Sequence, residues 1–236
     1  MEYNDFEKSF TSLAKKYDIE IKNEIKKLYI YMMKILEANK QINLTSITEP
    51  EEFIIKHLID SLVVSEFITG TEVLDIGTGA GFPGIPLAIN NQDKNFVLLD
   101  SVNKKLNVIR GTIPGIDINN VDIVHGRAEE LGNDEQYREK FDTVVSRAVA
   151  NLTTLVEYML PFAKVGGFVV CLKGPNYEEE ITDADKAIEI LGGKIDKILN
   201  INIEDNERNI IFIKKVKNTP SKYPRMQGKP LKEPIK

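Results

Sequence analysis

The sequence has no tryptophan, one cysteine and two histidines among its 236 residues, and each scarcity excludes a class of site. A single cysteine, Cys171, cannot form an intramolecular disulfide, and two histidines do not complete a cysteine–histidine metal site. Charged residues interrupt every apolar run before it reaches the roughly 18 residues of a membrane span. The first residues also lack the basic start and apolar stretch of a secretory signal. We therefore expect a soluble, cytoplasmic protein without a metal or a membrane partner.

The rest of the composition is that of a globular protein, because 42% of the residues are hydrophobic and 28% are charged. At about 150 residues per domain, this length predicts one large domain with an additional segment. The net charge of −5 is unevenly distributed, since residues 214–236 hold eight Lys or Arg and one acidic residue. A basic tail on an acidic body is suited to binding nucleic-acid phosphates, although a solvated lysine-rich tail has the same composition.

Hydrophobic patterns divide the chain into a helical first part and a mixed second part. Helical spacing predicts one helix over residues 19–38. A second helix is predicted from a capping box at Thr48–Glu51, with Pro50 in its first turn, to about Phe67. From Glu72 onward, short β-rich runs alternate with helical stretches, which predicts a mainly parallel sheet. The predicted strands cover residues 73–76, 96–100, 121–125, 143–146, 168–172, 195–203 and 210–216, with helices at 103–110, 152–163 and 178–191. Only a polar turn joins the last two strands, so we expect them to form an antiparallel hairpin.

These patterns predict a helical extension over residues 1–70, a core over 71–217 and a basic C-terminal arm over 218–236. Four of the ten prolines lie in the last 17 residues, which indicates an extended arm. Five crossovers followed by a hairpin resemble the class I methyltransferase variant of the Rossmann-like, doubly wound fold. We therefore expect an α/β protein of this class with an N-terminal helical extension.

The strongest local motif is a glycine loop that follows the first predicted strand. Residues 73–84 read VLDIGTGAGFPG, so a buried strand runs into a glycine-rich turn and then into a helix. Glycines allow the backbone to approach a ligand closely, and some adopt positive φ angles. The helix that follows presents free N–H groups to an electronegative ligand atom. The motif therefore predicts a cofactor site.

Two cofactors are compatible with such a loop. Residues 79–84 match the dinucleotide pattern G-x-G-x-x-G, but the strand ends at Ile76, so the turn begins at Gly77. Read from Gly77, the glycines fall at 77, 79 and 81 and follow Asp75, a carboxylate that suits the amino group of S-adenosyl-L-methionine and repels a pyrophosphate. Asp100 ends the second predicted strand, where an acid accepts hydrogen bonds from the ribose of either cofactor. The pattern favours S-adenosyl-L-methionine held by Asp75, Gly77, Gly79, Gly81 and Asp100.

Further motifs extend from about residue 39 to residue 234. The glycine loop continues as GFPGIPLAI at residues 81–89, which is more specific than a general methyltransferase turn. The other motifs are Asn43–Thr45, His57–Leu62, Leu98–Ser101, Arg127–Glu130, Ser146–Ala148, Leu172–Gly174 and Tyr223–Arg225. Together they resemble the GidB family, the ribosomal RNA small-subunit methyltransferases G. One segment departs from that family, since residues 102–106 read VNKKL where members often have a basic–aromatic run.

The resemblance implies transfer of a methyl group from S-adenosyl-L-methionine to N7 of a specific guanine in small-subunit (16S) ribosomal RNA. The partner would be that RNA or the small ribosomal subunit, and we expect the protein to be a monomer. Carried over by motif, the residues that hold the cofactor would be Gly77, Phe82, Ala128, Glu129 and Arg147. Ala128 and Glu129 follow the third predicted strand, a position that also suits the edge of an adenine.

Basic residues inside the motifs are the candidates for binding RNA. The chain has six arginines and 25 lysines, so an arginine within a motif indicates a need for its planar, two-pronged donor group. Arg127, Arg147 and Arg225 meet this condition. Lys173, at the end of the fifth predicted strand, is expected to contact a phosphate. Surface ion pairs are the alternative for the arginines.

Guanine N7 has a lone pair and no proton to lose, so we expect no catalytic base, only residues that position the reactants. The positioning candidates are Asn43, Asp60, Arg127 and Arg225. Asn43 either contacts a base edge or caps the turn after the first predicted helix, and Asp60 is placed to stabilise positive charge on the purine. His57 shares a helix face with Asp60 and either contacts RNA or satisfies a carbonyl group.

Two other functions remain open at this point. A nicotinamide-dependent reductase would bind a dinucleotide, but no Tyr-x-x-x-Lys pair follows the fourth predicted strand. A non-catalytic module that senses S-adenosyl-L-methionine would bind the cofactor and RNA without transferring a methyl group. Equilibrium binding distinguishes the reductase from the other two functions, and turnover distinguishes the sensing module from the enzyme.

Overall fold

The structure is a computed structural model that describes residues 1–147 and 150–235, and its centre is a seven-stranded sheet. The strands are β1 (Glu72–Ile76), β2 (Asn95–Asp100), β3 (Val121–His125), β4 (Phe141–Arg147), β5 (Ala163–Lys173), β6 (Gly193–Ile203) and β7 (Asn206–Lys215). They lie in the order β3-β2-β1-β4-β5-β7-β6, and β7 is antiparallel to both β5 and β6. The other neighbouring strands are parallel. The predicted fold, a mainly parallel sheet with a terminal hairpin, is confirmed.

Helices cover both faces of this sheet. Those that the structure describes are α1 (Tyr3–Lys16), α2 (Ile25–Asn39), α3 (Pro50–Phe53), α4 (Asp60–Leu62), α5 (Gly84–Asn90), α6 (Asn103–Thr112), α7 (Ala128–Leu131), α8 (Leu152–Met159), α9 (Tyr177–Ile190) and α10 (Lys229–Lys232). A π-helical turn, Ile54–Ile59, joins α3 to α4. None of the described helices has the length and hydropathy of a membrane span.

The start of β5 and the end of α8 differ from the prediction. The predicted helix over residues 152–163 stops at Met159, because Pro161 has no backbone N–H with which to continue the helical hydrogen bonds. β5 then begins at Ala163, which pairs with Phe141, so Gly166 lies inside the strand and does not precede it.

The first helix is absent from the sequence prediction. Phe6, Phe10 and Ala14 of α1 recur every four residues and are all buried, and this spacing is the signal that predicts such a helix. The predicted helix over residues 19–38 begins only at Ile25, because residues 17–24 connect α1 to α2.

The capping box predicted at Thr48–Glu51 is wrong. The helix begins at Pro50, its N-cap is Glu49, and no side chain caps its first turn. Proline favours the first helical position, since its fixed φ angle suits the helix and its missing N–H needs no partner there. The predicted continuation to about Phe67 is present as α3, the π-helical turn, α4 and a 3-10 turn at Ser65–Phe67.

One face of the sheet packs against the N-terminal helices. Phe6, Tyr31 and Phe53 from those helices share a hydrophobic cluster with Phe96 and Phe212 from the sheet. The helical extension and the sheet are therefore parts of one continuous core. The boundary expected at residue 70 stays a prediction.

The opposite face packs against α8, α9 and the C-terminal arm. Tyr223 and Ile235 of the arm are buried in this cluster, so the arm lies against the core and does not extend away from it. Cys171 is buried here as a core residue, and burial raises the pKa of its thiol to about 12. The boundary expected at residue 217 is likewise still a prediction.

Candidate active site

The glycine loop connects β1 to α5 at the carboxyl ends of the parallel strands. Gly77, Gly79 and Gly81 have φ angles of 71°, 58° and 87°, which residues with a side chain rarely adopt. At Gly81 an added Cβ atom would lie 2.2 Å from the hydroxyl oxygen of Tyr31 and 2.7 Å from Cγ1 of Ile85. Both the backbone and the neighbouring side chains therefore require glycine at this position.

Gly81→Ala is expected to destabilise the protein by about 3 kcal/mol, because left-handed strain and a steric clash add together. Gly79→Ala is the matched variant, since the nearest atom to its Cβ would be the Gly77 carbonyl oxygen at 3.9 Å. We expect it to cost about 1 kcal/mol, from strain alone. Urea unfolding measures both free energies, and equal values would contradict the role given to the Tyr31 contact.

A cleft of about 450 Å³ opens beside the glycine loop. Residues from the carboxyl ends of β1, β2 and β4, and from the loop after β3, line it, which is the edge where open α/β sheets bind ligands. The predicted site residues that line the cleft are Gly77, Gly79, Asp100, Arg127, Ala128, Glu129 and Arg147. Asp75, Gly81 and Phe82 are not among its lining residues.

Asp75 faces away from the cleft, because successive side chains of a strand point to opposite faces and its neighbour Ile76 lines the cleft. Its buried carboxylate accepts hydrogen bonds at Oδ2 from the Thr78 hydroxyl (2.6 Å) and the Gly84 N–H (2.9 Å). Among the described residues Oδ1 has no partner, and burial raises the pKa of Asp75 to about 7. Asp75 thus ties together the two ends of the glycine loop, and its contact with the cofactor amino group stays a prediction.

Phe82 also points away from the cleft, into the core beneath the N-terminal helices. Its ring stacks on the imidazole of His57, with the centroids 4.4 Å apart and an interplanar angle of 6°. It meets the rings of Phe53 and Tyr31 edge-on. Only 5% of Phe82 is exposed, so its side chain has a packing role in this structure, and its contact with the cofactor stays a prediction.

Two carboxylates line the cleft, Asp100 and Glu129. Asp100 accepts N–H hydrogen bonds from Gly79 at Oδ2 (2.8 Å) and from Val102 at Oδ1 (2.7 Å). Glu129 accepts one from Gly228 at Oε1 (2.9 Å). An ionised carboxylate has about four acceptor sites, so both groups can still accept hydrogen bonds from hydroxyl and amino groups of a ligand. These acceptors and the open backbone of the glycine loop fit the cofactor expected from the sequence.

Tyr158 of α8 lines the cleft as well, although the sequence analysis does not include it. Burial and then the charge of Glu129 raise the pKa of its phenol to about 12, so the hydroxyl stays protonated at neutral pH. Lys105 and Leu231 are further lining residues that the sequence analysis does not single out. A tyrosine or leucine at helical spacing looks the same in sequence whether it faces a cleft or a core.

Arg147 ends β4 and connects the cleft to the N-terminal helices. Its Nη1 donates to the Asp60 carboxylate at 2.8 Å and to the Lys56 carbonyl at 3.0 Å. Its Nη2 donates to Nδ1 of His57 at 3.0 Å. Arg147 therefore joins two of the motifs that carry the family resemblance, His57–Leu62 and Ser146–Ala148. Ala148 lies outside the described residues.

His57 is a neutral acceptor for Arg147. An arginine only donates, so Nδ1 of His57 is the acceptor and Nε2 carries the proton. Nε2 then donates to the hydroxyl of Thr45 at 2.8 Å. Burial, and next the charge of Arg147, lower the pKa of His57 to about 3. Its described polar partners are thus a guanidinium and a hydroxyl, in place of the carbonyl group expected from the sequence.

Asp60 is buried between two guanidinium groups. Oδ2 accepts from Arg147, and Oδ1 accepts from Nε of Arg208 at 2.5 Å. Because two cations already neutralise this carboxylate and it does not line the cleft, it is not placed to stabilise charge on a purine as expected. Arg208 lies in no motif, and its only signal in the sequence is the rarity of arginine.

Asn43 is exposed on the loop after α2. The Asn39 side chain holds that loop, since its Oδ1 accepts from the N–H groups of Leu44 (2.7 Å) and Thr45 (3.0 Å). The turn-capping alternative for Asn43 is therefore wrong, and its contact with a base edge stays a prediction.

Two of the cations expected to bind RNA hold the protein together in this structure. Nζ of Lys173 lies 2.6 Å from the Glu180 carboxylate, and the side chain is buried. The Arg225 guanidinium spans both oxygens of Glu157, at 2.9 Å and 2.6 Å. Ion pairing, the alternative given for the arginines, thus describes Arg225 in this structure, and the RNA contacts of Lys173 and Arg225 stay predictions. Arg127 is exposed at the cleft, and its RNA contact stays a prediction.

Solved structures of other methyltransferases share this fold. Precorrin-6y C5,15-methyltransferase from Geobacter metallireducens has a TM-score of 0.51 and 18% identity, covering 66% of this chain and 88% of that one. TYW2 from M. jannaschii, in complex with AdoMet, has a TM-score of 0.54 and 16% identity, covering 66% and 75%. At such identities the likeness concerns the fold alone.

Sequence comparison is more specific. The model of the GidB family, rRNA small subunit methyltransferase G, matches residues 24–211. Ribosomal RNA small subunit methyltransferase G of Clostridium novyi is 48% identical over 228 residues, which cover 94% of each chain. The protein of the same name from Alkaliphilus oremlandii is 46% identical over 229 residues, covering 94% of this chain and 96% of that relative. The chain therefore belongs to the GidB family, and it is a methyltransferase whose cofactor is S-adenosyl-L-methionine.

Proposed function

We propose that this protein methylates N7 of one specific guanine in 16S ribosomal RNA, acting as a monomer in the cytoplasm. The family match over residues 24–211 carries this proposal, because the family and the relatives are named for small-subunit ribosomal RNA. Membership in a methyltransferase family also argues against the nicotinamide-dependent reductase. The sensing module differs from the proposed enzyme only in lacking turnover.

The cleft suits an acceptor that loses no proton. When bound, S-adenosyl-L-methionine supplies a methyl group on a sulfonium centre, and the electron pair of the broken bond stays with sulfur. Guanine N7 offers an in-plane lone pair, so the protein has only to align the two reactants. Both oxygens of Asp100 and one of Glu129 accept backbone N–H groups, and Tyr158 stays protonated. A protonated Tyr158 is not a base, and N7 needs none, so this lining of the cleft supports N7 as the methyl acceptor.

Cations that line the cleft, and others exposed on the C-terminal arm, support an RNA substrate. Lys105 and Arg127 line the cleft, and the C-terminal arm adds the exposed residues Lys222, Lys229 and Lys232. Such side chains attract phosphates electrostatically, and this attraction weakens steeply as the salt concentration rises. A stacked guanine would have to leave its stack to reach the cleft, at a cost of a few kcal/mol.

Radiolabelled S-adenosyl-L-methionine and small ribosomal subunits from a strain that lacks this methylation test the proposal. Borohydride reduction followed by aniline cleavage then locates N7-methylguanine in the labelled RNA. We expect label at a single guanine. Subunits from a strain that already carries the methyl group are the control and are expected to take up none.

Each other outcome contradicts a defined part of the proposal. Label without aniline cleavage would place the methyl group on another atom. Cleavage at many guanines would contradict the specificity. No label from a protein that binds the cofactor, measured by calorimetry in the same buffer, would favour the non-catalytic sensing module.

A further inference from the structure

The C-terminal arm is fastened beside the cleft at two points. The Arg225 guanidinium donates from Nε to Oε1 of Glu157 at 2.9 Å and from Nη2 to Oε2 at 2.6 Å. Three residues further on, the N–H of Gly228 donates to Oε1 of Glu129 at 2.9 Å. Glu129 itself lines the cleft, so the arm is bonded directly to a residue of the cofactor site.

Leu231 follows these contacts, and its neighbours in the chain hold it in place. Pro230 is buried, and its carbonyl accepts a hydrogen bond from the Thr154 hydroxyl at 3.2 Å. Ile235 is buried in the core cluster beneath the arm. Leu231 nevertheless is 64% exposed and lines the cleft. The arm thus keeps the apolar side chain of Leu231 exposed to solvent at the rim of the cleft.

Val102 lines the same cleft from the loop between β2 and α6, and it is 44% exposed. Binding sites for small molecules combine apolar walls with a few oriented polar groups, so exposed apolar surface at a cleft indicates surface that a ligand covers. The adenine ring is the flat, apolar-faced part of this cofactor, whereas its ribose and methionine parts are polar. The two aliphatic side chains therefore match the adenine.

We infer that the C-terminal arm is part of the cofactor site, with Leu231 covering the adenine ring of S-adenosyl-L-methionine and Val102 making a second apolar contact. Glu129 connects the arm to the cofactor site, because it accepts a hydrogen bond from Gly228 and also lines the cleft. This inference concerns cofactor binding alone and holds for any methyl acceptor. Its failure would leave the proposed function intact, and the reverse is also true.

Calorimetric titration of the full-length protein tests the inference without RNA. Leu231→Ala is expected to raise the Kd for S-adenosyl-L-methionine about tenfold, since most of a buried leucine contact is lost. Adenosine, used as a second probe, should lose affinity by the same factor, because the contact is to the adenine. Leu231→Met keeps the apolar contact and should bind both ligands as wild type does.

Met226→Ala is the matched control, because Met226 lies on the same arm, is 82% exposed and does not line the cleft. It is expected to leave both Kd values unchanged. Melting temperatures check that every variant is folded. Because both side chains are exposed, we expect neither substitution to unfold the protein. Wild-type affinity in Leu231→Ala would overturn the inference, as would an equal loss in Met226→Ala. A loss for S-adenosyl-L-methionine but not for adenosine would overturn the assignment to adenine.

Discussion

Arg147→Lys is expected to lower kcat/KM for methyl transfer about a hundredfold, which corresponds to about 2.7 kcal/mol of transition-state stabilisation. The guanidinium donates at once to the Asp60 carboxylate, the Lys56 carbonyl and the His57 imidazole. A lysine ammonium is one nitrogen on a flexible stem and does not reproduce this planar fork. Because Arg147 also lines the cleft, losing these bonds displaces a charged group within the site.

Arg110→Lys is the matched control for this substitution. Arg110 is exposed on α6, where it donates to the side chains of Asn103 (3.0 Å) and Asn107 (2.8 Å) away from the lining residues of the cleft. We expect it to keep wild-type activity. Single-turnover methyl transfer to small ribosomal subunits measures the effect, with melting temperatures to check folding. A folded Arg147→Lys protein with wild-type turnover would show that the guanidinium geometry is not needed.

Acid is expected to destabilise the protein through His57. Its pKa is about 3 in the folded protein, against about 6.5 in an unfolded chain. Between these values the unfolded chain binds a proton that the folded protein does not, so stability is complete above pH 6.5 and falls as the pH drops toward 3. One proton is equivalent to about 1.4 kcal/mol per pH unit, so the full loss is roughly 4 to 5 kcal/mol. That is a large part of the stability of an ordinary domain.

His57→Asn should remove this contribution while keeping an oxygen that accepts from Arg147. The variant is expected to be less stable near neutral pH, since it lacks the ring that stacks on Phe82, but its free energy of unfolding should depend less steeply on pH. Urea unfolding between pH 4 and 7 measures the slope. His125→Asn is the matched control, because His125 is exposed and its slope should follow the wild type. Identical slopes for His57→Asn and wild type would contradict the neutral, buried state of His57.

Much of the sheet is predictable from local sequence, and β1 shows why. Its apolar residues Val73, Leu74 and Ile76 are all buried although they include neighbours on opposite faces, which is typical of a strand covered on both faces. The glycine loop is equally local, because positive φ angles at Gly77, Gly79 and Gly81 depend on the turn itself. Helix ends are less predictable: Pro50 lies in the first turn as expected, yet no side chain caps that turn.

The direction in which side chains at the glycine loop point depends on contacts with residues that are distant in the sequence. Asp75 and Ile76 are neighbours, yet only the packing of the sheet decides which of them meets the cleft. Phe82 points into the core because α2 and the turn after α3 bring Tyr31 and His57 against it. A motif names these residues together, but it does not distinguish a residue that touches a ligand from one that supports the loop.

The strand positions, the glycine loop and each motif that marks the family are carried by short stretches of this sequence, because each depends on residues within a few positions of one another. The roles of the charged residues, by contrast, depend on contacts between distant parts of the chain. Arg225 pairs with Glu157 across 68 residues, and Arg208 reaches Asp60 across 148. Whether a guanidinium meets a carboxylate or stays free for a phosphate depends on which elements the chain topology brings together, and on how much water remains around them. For this reason only the tertiary structure separates Arg127, exposed at the cleft, from Arg225, which holds the C-terminal arm.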